Sequence, residues 1–134
     1  MPLPAQARLP ERVLWALQQE QRPLGVYQLA HRLTAATGRR HHPNAIYRVL
    51  NVLLVQRRVL PVASAKGWVA RRVATGGATI AMLCRDCGSI SQLSAEMIEA
   101  EMAEILARRR FRPRIVHLEV LGRCQACADR SPGS

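Results

Sequence analysis

The sequence predicts an α+β protein in two parts, with helices concentrated in residues 1–74 and strands in residues 75–130. Apolar residues recur at helical spacing three times in the first part. The second part alternates apolar and polar residues over short stretches, as strands do, around one amphipathic helix. With 134 residues, 49% of them apolar, the chain can bury a core. The polar ending "ADRSPGS" predicts a frayed tail, and residues 131–134 fall outside both parts.

Three helices are predicted in the first part. "ERVLWALQQ" follows Pro10, which suits a helix start, and "RPLGVYQLAHRLTAATG" stops at Gly38. "HHPNAIYRVLNVLLVQRR" has Pro43 in its first turn and a regular apolar face. "VLPVASAKGWVARRV" then indicates two strands joined by a turn at residues 65–67. Three helices and a hairpin are the parts of a winged helix-turn-helix, which places its last helix in the DNA major groove.

The second part has the order strand, strand, helix, strand, which suggests a small α+β domain. "TIAMLC" and "SISQL" are the first two strands, and "RIVHLEVLG" is the third. Residues 94–109 are the helix, with Ser94 as its N-cap and acids in its first turns. We expect a buried stripe on this helix, formed by Ile98, Met102, Ile105 and Leu106.

All four cysteines lie in two Cys-x-x-Cys pairs, Cys84/Cys87 and Cys124/Cys127. Two such pairs supply the tetrahedral four-thiolate set that zinc prefers, and they leave no coordination position open for water or substrate. The spacing therefore predicts one structural zinc ion per subunit. A redox pair would need a βαβ context, and disulfides would need an export signal. An iron–sulfur cluster also takes four cysteines, but nothing in the sequence favours it.

The charge of the chain is strongly positive. Twenty Lys and Arg face nine Asp and Glu, for a formal net charge of +11, and all but one of the basic residues are arginine. Such an excess predicts a polyanionic partner, because each neutralised phosphate releases counterions. The alternative is that the arginines only reflect a GC-rich genome.

Several classes of protein are not expected. We find no Ser/His/Asp set, no glycine-rich phosphate loop and no paired buried carboxylates, so no catalytic residues are predicted and the protein is not expected to be an enzyme. No apolar run of 18 residues predicts a membrane helix, and "MPLPAQARLPERV" does not have the pattern of a signal peptide. We expect a cytoplasmic protein.

"PNAIYRVLNVLLVQRRVL" is similar to the recognition-helix stretch of the ferric uptake regulator family. "LCRDCGSISQLSAEMIEAEMAEI" and "LEVLGRCQAC" resemble its dimerisation domain, and "RPLGVYQLAHRL" and "CRDCG" are most like the zinc uptake regulators. The resemblance, over about residues 9–128, implies a homodimeric winged-helix repressor that binds an inverted-repeat operator in double-stranded DNA when loaded with metal. It implies that residues 1–74 bind DNA and that residues 75–130 form the dimer.

Candidate DNA contacts surround the third helix. In the family that the chain resembles, a Tyr and an Arg of this helix contact DNA. Pairs of arginines at both ends of the helix suit phosphate contacts, and Lys66 lies on the hairpin turn. His42, at the helix start, either contacts phosphate or caps the helix. The predicted DNA-binding residues are Arg39, Arg40, His42, Asn44, Tyr47, Arg48, Arg57 and Lys66.

The chain departs from the family where regulatory metal ligands are expected. Residues 77–81 replace a histidine-rich run, and the other expected ligands are replaced by Arg72, Gln92 and Val116. Only Glu99 remains, and we expect it to be an ordinary exposed helix acid. The sequence therefore predicts a DNA-binding regulator without a conventional metal-sensing site. Two alternatives stay open: a metal-responsive regulator using an unconventional site, such as His31, His41 and His42, or a protein-interaction module that has lost DNA regulation.

Overall fold

The computed structural model describes residues 2–74 and 77–130. Its contacts divide the chain into two compact units, Met1–Arg71 and Arg72–Ser134. The elements of unit 1 are α1 (Leu9–Gln18), α2 (Val26–Thr37), α3 (Pro43–Val55), β1 (Val59–Val62), a 3-10 turn (Ala63–Ala65) and β2 (Gly67–Ala70). Those of unit 2 are β3 (Thr79–Cys84), β4 (Ile90–Ser94), α4 (Glu96–Arg108), β5 (His117–Gly122) and α5 (Gln125–Arg130). The predicted α+β class is confirmed.

The three helices of unit 1 enclose one apolar core. Because apolar residues recur every three or four positions, each helix turns one face inward. Pro10 and Pro43 lie in the first turns of α1 and α3, and α2 ends at Gly38 in the left-handed conformation (φ 72°), as predicted. The largest fully buried side chains of these helices are Val13, Leu17, Leu29, Leu33, Ile46, Leu50 and Leu53.

The hairpin of β1 and β2 is joined to the linker between α1 and α2. Leu24 and Trp68 exchange two backbone hydrogen bonds, of 2.9 and 2.8 Å. A Cβ atom at Gly67 would lie 2.9 Å from the Pro23 side chain, closer than such carbons approach, so a larger residue there would displace the linker. Lys66, just before this glycine, occupies the left-handed region (φ 51°) at the hairpin turn.

The sheet of unit 2 has the order β4-β3-β5, with β3 antiparallel to β4 and parallel to β5. The segment through β4 and α4 makes the crossover that a parallel pair requires. Cys84, the last residue of β3, is paired with Gly122, the last residue of β5. The chain segments that follow the two strands therefore start from the same end of the sheet.

Two predictions for α4 are wrong. The helix begins at Glu96 with Ala95 as its N-cap, because the Ala95 N–H donates to the Ala78 carbonyl (2.8 Å) and prolongs the β3–β4 pairing. The Ser94 hydroxyl accepts a hydrogen bond from the Glu96 N–H (3.3 Å). The expected stripe is not buried: α4 has no buried residue, and Ile105 is 57% exposed. Periodicity indicates which face of a helix is apolar but not what covers it.

The ends of unit 2 also differ from the prediction. β5 begins at His117, so the first residues of "RIVHLEVLG" precede the strand. Residues 125–130 form the short helix α5, although "ADR" was assigned to a frayed tail. Residues 131–134 of that tail lie outside the described residues.

Candidate metal centre and nucleic-acid interface

The two cysteine pairs meet beyond the paired ends of β3 and β5. Cys84 ends β3, Cys87 lies in the turn that follows, and Cys124 and Cys127 follow β5, the latter on α5. The four sulfur atoms lie within 4.8 Å of one another. Cys84 and Cys127 are buried and the other two cysteines are half-buried. The arrangement offers four sulfur ligands to one ion.

Hydrogen-bond donors surround the sulfur atoms. The Cys124 N–H donates to Cys84 Sγ (3.4 Å), and the Ser89 hydroxyl lies 3.0 Å from Cys87 Sγ. The Arg130 guanidinium donates to Cys127 Sγ at 2.9 Å. A four-thiolate zinc site carries net negative charge, and outer donors of this kind orient the thiolates and stabilise that charge. Arg130 was not among the predicted site residues.

The pKa values of the thiols differ with their surroundings. Backbone N–H groups of Cys124 and Cys87 lower the pKa of Cys84 to about 6. The Ser89 hydroxyl and its backbone lower the pKa of Cys87. Arg130 lowers the pKa of Cys127, but burial and the neighbouring thiols outweigh it and raise that pKa to about 12. Because four crowded thiolates repel one another, a metal cation is needed for all four to ionise, and its binding displaces protons.

The exposed face of α3 carries the predicted DNA-reading residues. Asn44, Tyr47 and Arg48 follow the i, i+3, i+4 spacing of one helix face, and all three are exposed, Tyr47 by 53%. The opposite face of α3 is fully buried at Ile46, Leu50 and Leu53. Asn51 continues the exposed face, and its amide donates to the Tyr47 carbonyl (3.1 Å). Asn51 was missed by the sequence reasoning, although its spacing from Tyr47 indicates the same face.

The other predicted contacts flank α3. Arg39, Arg40, His42, Arg57 and Lys66 are all exposed. His42 is the N-cap residue of α3 but makes no side-chain capping bond.

The alternative histidine site is not assembled. The ring of His41 bonds the Arg39 carbonyl through Nδ1 (2.8 Å) and lies 3.5 Å from Arg12 through Nε2. Across residues 2–74 and 77–130, the four cysteines are the one group of three or more metal-ligand side chains in close proximity.

No protein-family model and no curated protein matches the sequence. Solved structures do match. Holo XcZur has a TM-score of 0.79 at 22% identity, covering 92% of this chain and 86% of its own. A zinc uptake regulator complexed with zinc and DNA has a TM-score of 0.81 at 25% identity, covering 92% and 83%. The Helicobacter pylori ferric uptake regulator Fur has a TM-score of 0.56 at 17% identity, covering 96% and 84%.

The chain has the Zur/Fur fold. The resemblance inferred from the sequence motifs is confirmed at the level of the fold, with higher TM-scores for the two Zur structures than for the Fur structure. Two of these structural relatives are uptake regulators, one for zinc and one for ferric iron. Within the described residues, no helix has the length and apolar character that crossing a membrane requires.

Charge is divided unequally between the two units of the Zur/Fur fold. Residues 1–71 contain eleven Lys and Arg against two acids, whereas residues 72–134 contain nine against seven. The net positive charge is therefore concentrated in the unit that carries α3.

Gly77 and Ala78, before the first cysteine pair, lie against Glu99 of α4. The Glu99 carboxylate lies 3.4 Å from the Ala78 N–H, which donates to it. A Cβ at Gly77 would lie 2.6 Å from the same carboxylate. Glu99 is half-buried, so its assignment as an exposed helix acid is wrong. Its carboxylate bonds the start of β3, a contact that spacing along the sequence does not reveal.

The sheet of unit 2 holds a further polar contact near this region. His117 Nδ1 lies 3.1 Å from the Thr79 hydroxyl, and its Nε2 lies 4.0 Å from the Glu119 carboxylate. Gln92, on the neighbouring strand, accepts a hydrogen bond from the Arg72 N–H (2.9 Å). Gln92 and Arg72, two of the residues that replace expected ligands, therefore bond each other.

Proposed function

We propose that this chain is a sequence-specific DNA-binding transcriptional regulator of the Zur/Fur type, a homodimer that holds one structural zinc ion per subunit. The observation that carries the proposal is the exposed polar face of α3 in the unit that holds most of the net positive charge. A structural relative with the same fold is a zinc uptake regulator complexed with zinc and DNA.

In this proposal unit 1 is a winged helix-turn-helix, with α3 in the major groove and the β1–β2 hairpin as the wing. The guanidinium of Arg48 would read the two acceptors of a guanine, and Asn44 or Asn51 would read an adenine. The exposed cations at both ends of α3 and at Lys66 would bind phosphates and fix the register without reading bases. Residues 1–74 would then form the DNA-binding domain.

Zinc would have a structural role. The four thiolates come from the end of β3, the turn after it, the loop after β5 and α5, so one ion would tie together segments distant in sequence. All four coordination positions would be protein sulfur, which leaves no position for substrate. The ion would therefore serve only to cross-link these segments of the fold.

The surface of unit 2 supports a dimer. In the single chain, Met97 and Ile105 of α4 are 92% and 57% exposed, and Val120 of β5 is 52% exposed. β5 is also an edge strand of the sheet. Exposed apolar side chains and an open strand edge both suit the self-complementary interface of a two-fold dimer. Such a dimer would match the symmetry of an inverted-repeat operator.

The proposal is tested by selecting bound duplexes from a random DNA pool with the zinc-replete protein. We expect enrichment of an inverted repeat. A pool that remains random after repeated selection, at salt concentrations where non-specific binding is weak, would contradict the proposal.

We expect operator affinity to be independent of added metal. A ligand shifts a conformational equilibrium only through different affinities for the two states. The Glu99 carboxylate accepts a hydrogen bond from the Ala78 N–H, beside the residues that replace the family's regulatory ligands, and the four cysteines would all ligate the structural ion. Zinc, iron, manganese or a mild chelator that spares the cysteines should each leave the affinity unchanged.

The measurement is the operator dissociation constant of the zinc-replete dimer across a metal titration. A change of tenfold or more, about 1.4 kcal/mol of coupling, would mean that a regulatory site exists. Replacing His117 with alanine would then test whether the contact of His117 with Thr79 and Glu119 belongs to that site.

A further inference from the structure

Unit 2 contains a cationic segment that the proposed DNA contact does not use. Residues 108–114, "RRRFRPR", hold five arginines, one aromatic residue and no acid, and every one is exposed. We call them the arginine segment. Arg108 lies 3.5 Å from Glu104, with side chains 74% and 71% exposed, so solvent screens this pair strongly. The rest of unit 2 has four basic residues against seven acids, so the segment is a local concentration of positive charge.

The backbone at Arg110 adopts a conformation that favours glycine. Arg110 has φ 56°, in the left-handed region. Its N–H donates to the Ala107 carbonyl (2.9 Å) and the Phe111 N–H donates to the Leu106 carbonyl (3.0 Å). These two bonds form the Schellman motif that closes a helix, in which glycine usually occupies the position of Arg110. A side chain there costs conformational free energy, and such strain is concentrated at functional positions.

Two other basic residues of the chain also have a positive φ. The other non-glycine residues with positive φ in the described ranges are Arg57 (φ 60°) and Lys66 (φ 51°). Both are exposed cations in the predicted DNA-binding set. In all three cases a cation stands at a chain reversal where glycine would be less strained.

We propose that the arginine segment binds single-stranded nucleic acid, with the guanidinium groups on phosphates and the Phe111 ring stacked on an unpaired base. The planar guanidinium fork matches phosphate oxygens, and an aromatic ring beside a cationic track is the usual arrangement for an unpaired strand. A duplex keeps its bases stacked inside and offers the ring no base, and an acidic peptide leaves the exposed ring unused. Phe111 is 59% exposed.

Pro113 favours the same interaction. Its ring fixes its own φ, and it restricts Arg112 before it to extended conformations. Arg112 and Pro113 therefore lose less backbone entropy on binding an extended strand than two residues of a flexible loop would lose.

The test measures fluorescence anisotropy of a labelled 12-nucleotide RNA, and of DNA of the same sequence, with the zinc-replete full chain. We expect the double variant Arg109→Ala/Arg112→Ala to bind both strands at least tenfold more weakly than the parent. The slope of log affinity against log salt should fall by about 1.4, which corresponds to two phosphate contacts on a single strand. The matched control Arg22→Ala/Arg32→Ala, which removes two exposed arginines from unit 1, should change the affinity less than twofold.

Two single variants separate binding from folding. Arg110→Gly should raise the melting temperature, because it relieves a left-handed non-glycine residue, while weakening strand binding severalfold. Phe111→Leu keeps an apolar side chain but removes the ring, and should weaken strand binding about tenfold. Tighter binding of RNA than of DNA would assign the partner to RNA, and equal binding would assign it to single strands in general.

The proposal is overturned if Arg109→Ala/Arg112→Ala and Phe111→Leu bind the strands like the parent. It is also overturned if polyglutamate of equal charge displaces the strand as well as unlabelled RNA does, since the partner would then be an acidic polypeptide. Arg48→Ala should lose operator binding and keep strand binding. Failure of this inference and failure of the proposed DNA regulation are therefore distinguishable.

Discussion

Replacing Cys124 with serine should unfold residues 72–130 and separate the dimer. Structural zinc contributes about 10–16 kcal/mol to the folding of small zinc domains, comparable with or larger than the net stability of about 5–15 kcal/mol of a typical protein. Cys124 is one of four sulfur ligands within 4.8 Å, so its loss leaves an incomplete site. Unit 1 should remain folded, because its core consists of apolar side chains from α1, α2, α3 and the hairpin.

The measurement combines elemental analysis, circular dichroism and light scattering. The parent should contain one zinc ion per chain and be a dimer. Ser89→Ala is the matched control: it removes the hydroxyl 3.0 Å from Cys87 Sγ but no ligand, and it should keep its zinc. A parent protein without zinc, or a stable dimeric Cys124→Ser variant, would contradict the structural role of the metal.

Replacing Tyr47 or Arg48 with alanine should abolish most operator specificity while zinc content and fold stay intact. Both side chains are exposed on α3, so their loss creates no cavity. A good base contact discriminates against wrong bases by about 1–3 kcal/mol, so operator binding should weaken roughly tenfold to a hundredfold. Affinity for unrelated duplexes, which depends on phosphate contacts, should change much less.

Arg32→Ala is the control for Tyr47→Ala and Arg48→Ala. It removes a positive charge from the same unit, but Arg32 lies on α2 and pairs with Glu20 at 2.6 Å. It should bind the operator like the parent. If both α3 variants also bind like the parent, α3 does not read the DNA.

The sequence predicted unit 1 well because its signals are local. The positions of Ile46, Leu50 and Leu53 define the buried face of α3, and Pro43 marks its start. Such patterns depend only on the period of the helix. In unit 2, the exposure of Ile105 and the start of α4 at Glu96 depend on what packs or pairs nearby. Those contacts join residues far apart in sequence, and no periodic pattern encodes them.

Part of the candidate metal site could likewise be predicted from local spacing, and part depends on contacts that spacing does not reveal. The two Cys-x-x-Cys spacings predicted the four cysteines as one set of ligands, because two intervening residues let both sulfur atoms of a pair face one point, and the structure brings the four sulfur atoms within 4.8 Å of one another. Arg130 was missed because its bond to Cys127 requires α5, and α5 lies in a stretch too short and polar for a helical pattern to be recognised. The position of Glu99 was misjudged because its partner is a backbone N–H, that of Ala78, and not a side chain.

The most direct test of the central claim, that this chain is a dimeric DNA-reading regulator, is its affinity for the selected inverted repeat against a duplex with both half-sites scrambled. The zinc-replete protein should bind the inverted repeat as one dimer per duplex and at least about a thousandfold more tightly than the scrambled duplex at physiological salt. Equal affinities for the two duplexes would mean that the charge of unit 1 binds DNA without reading it, and would contradict the account.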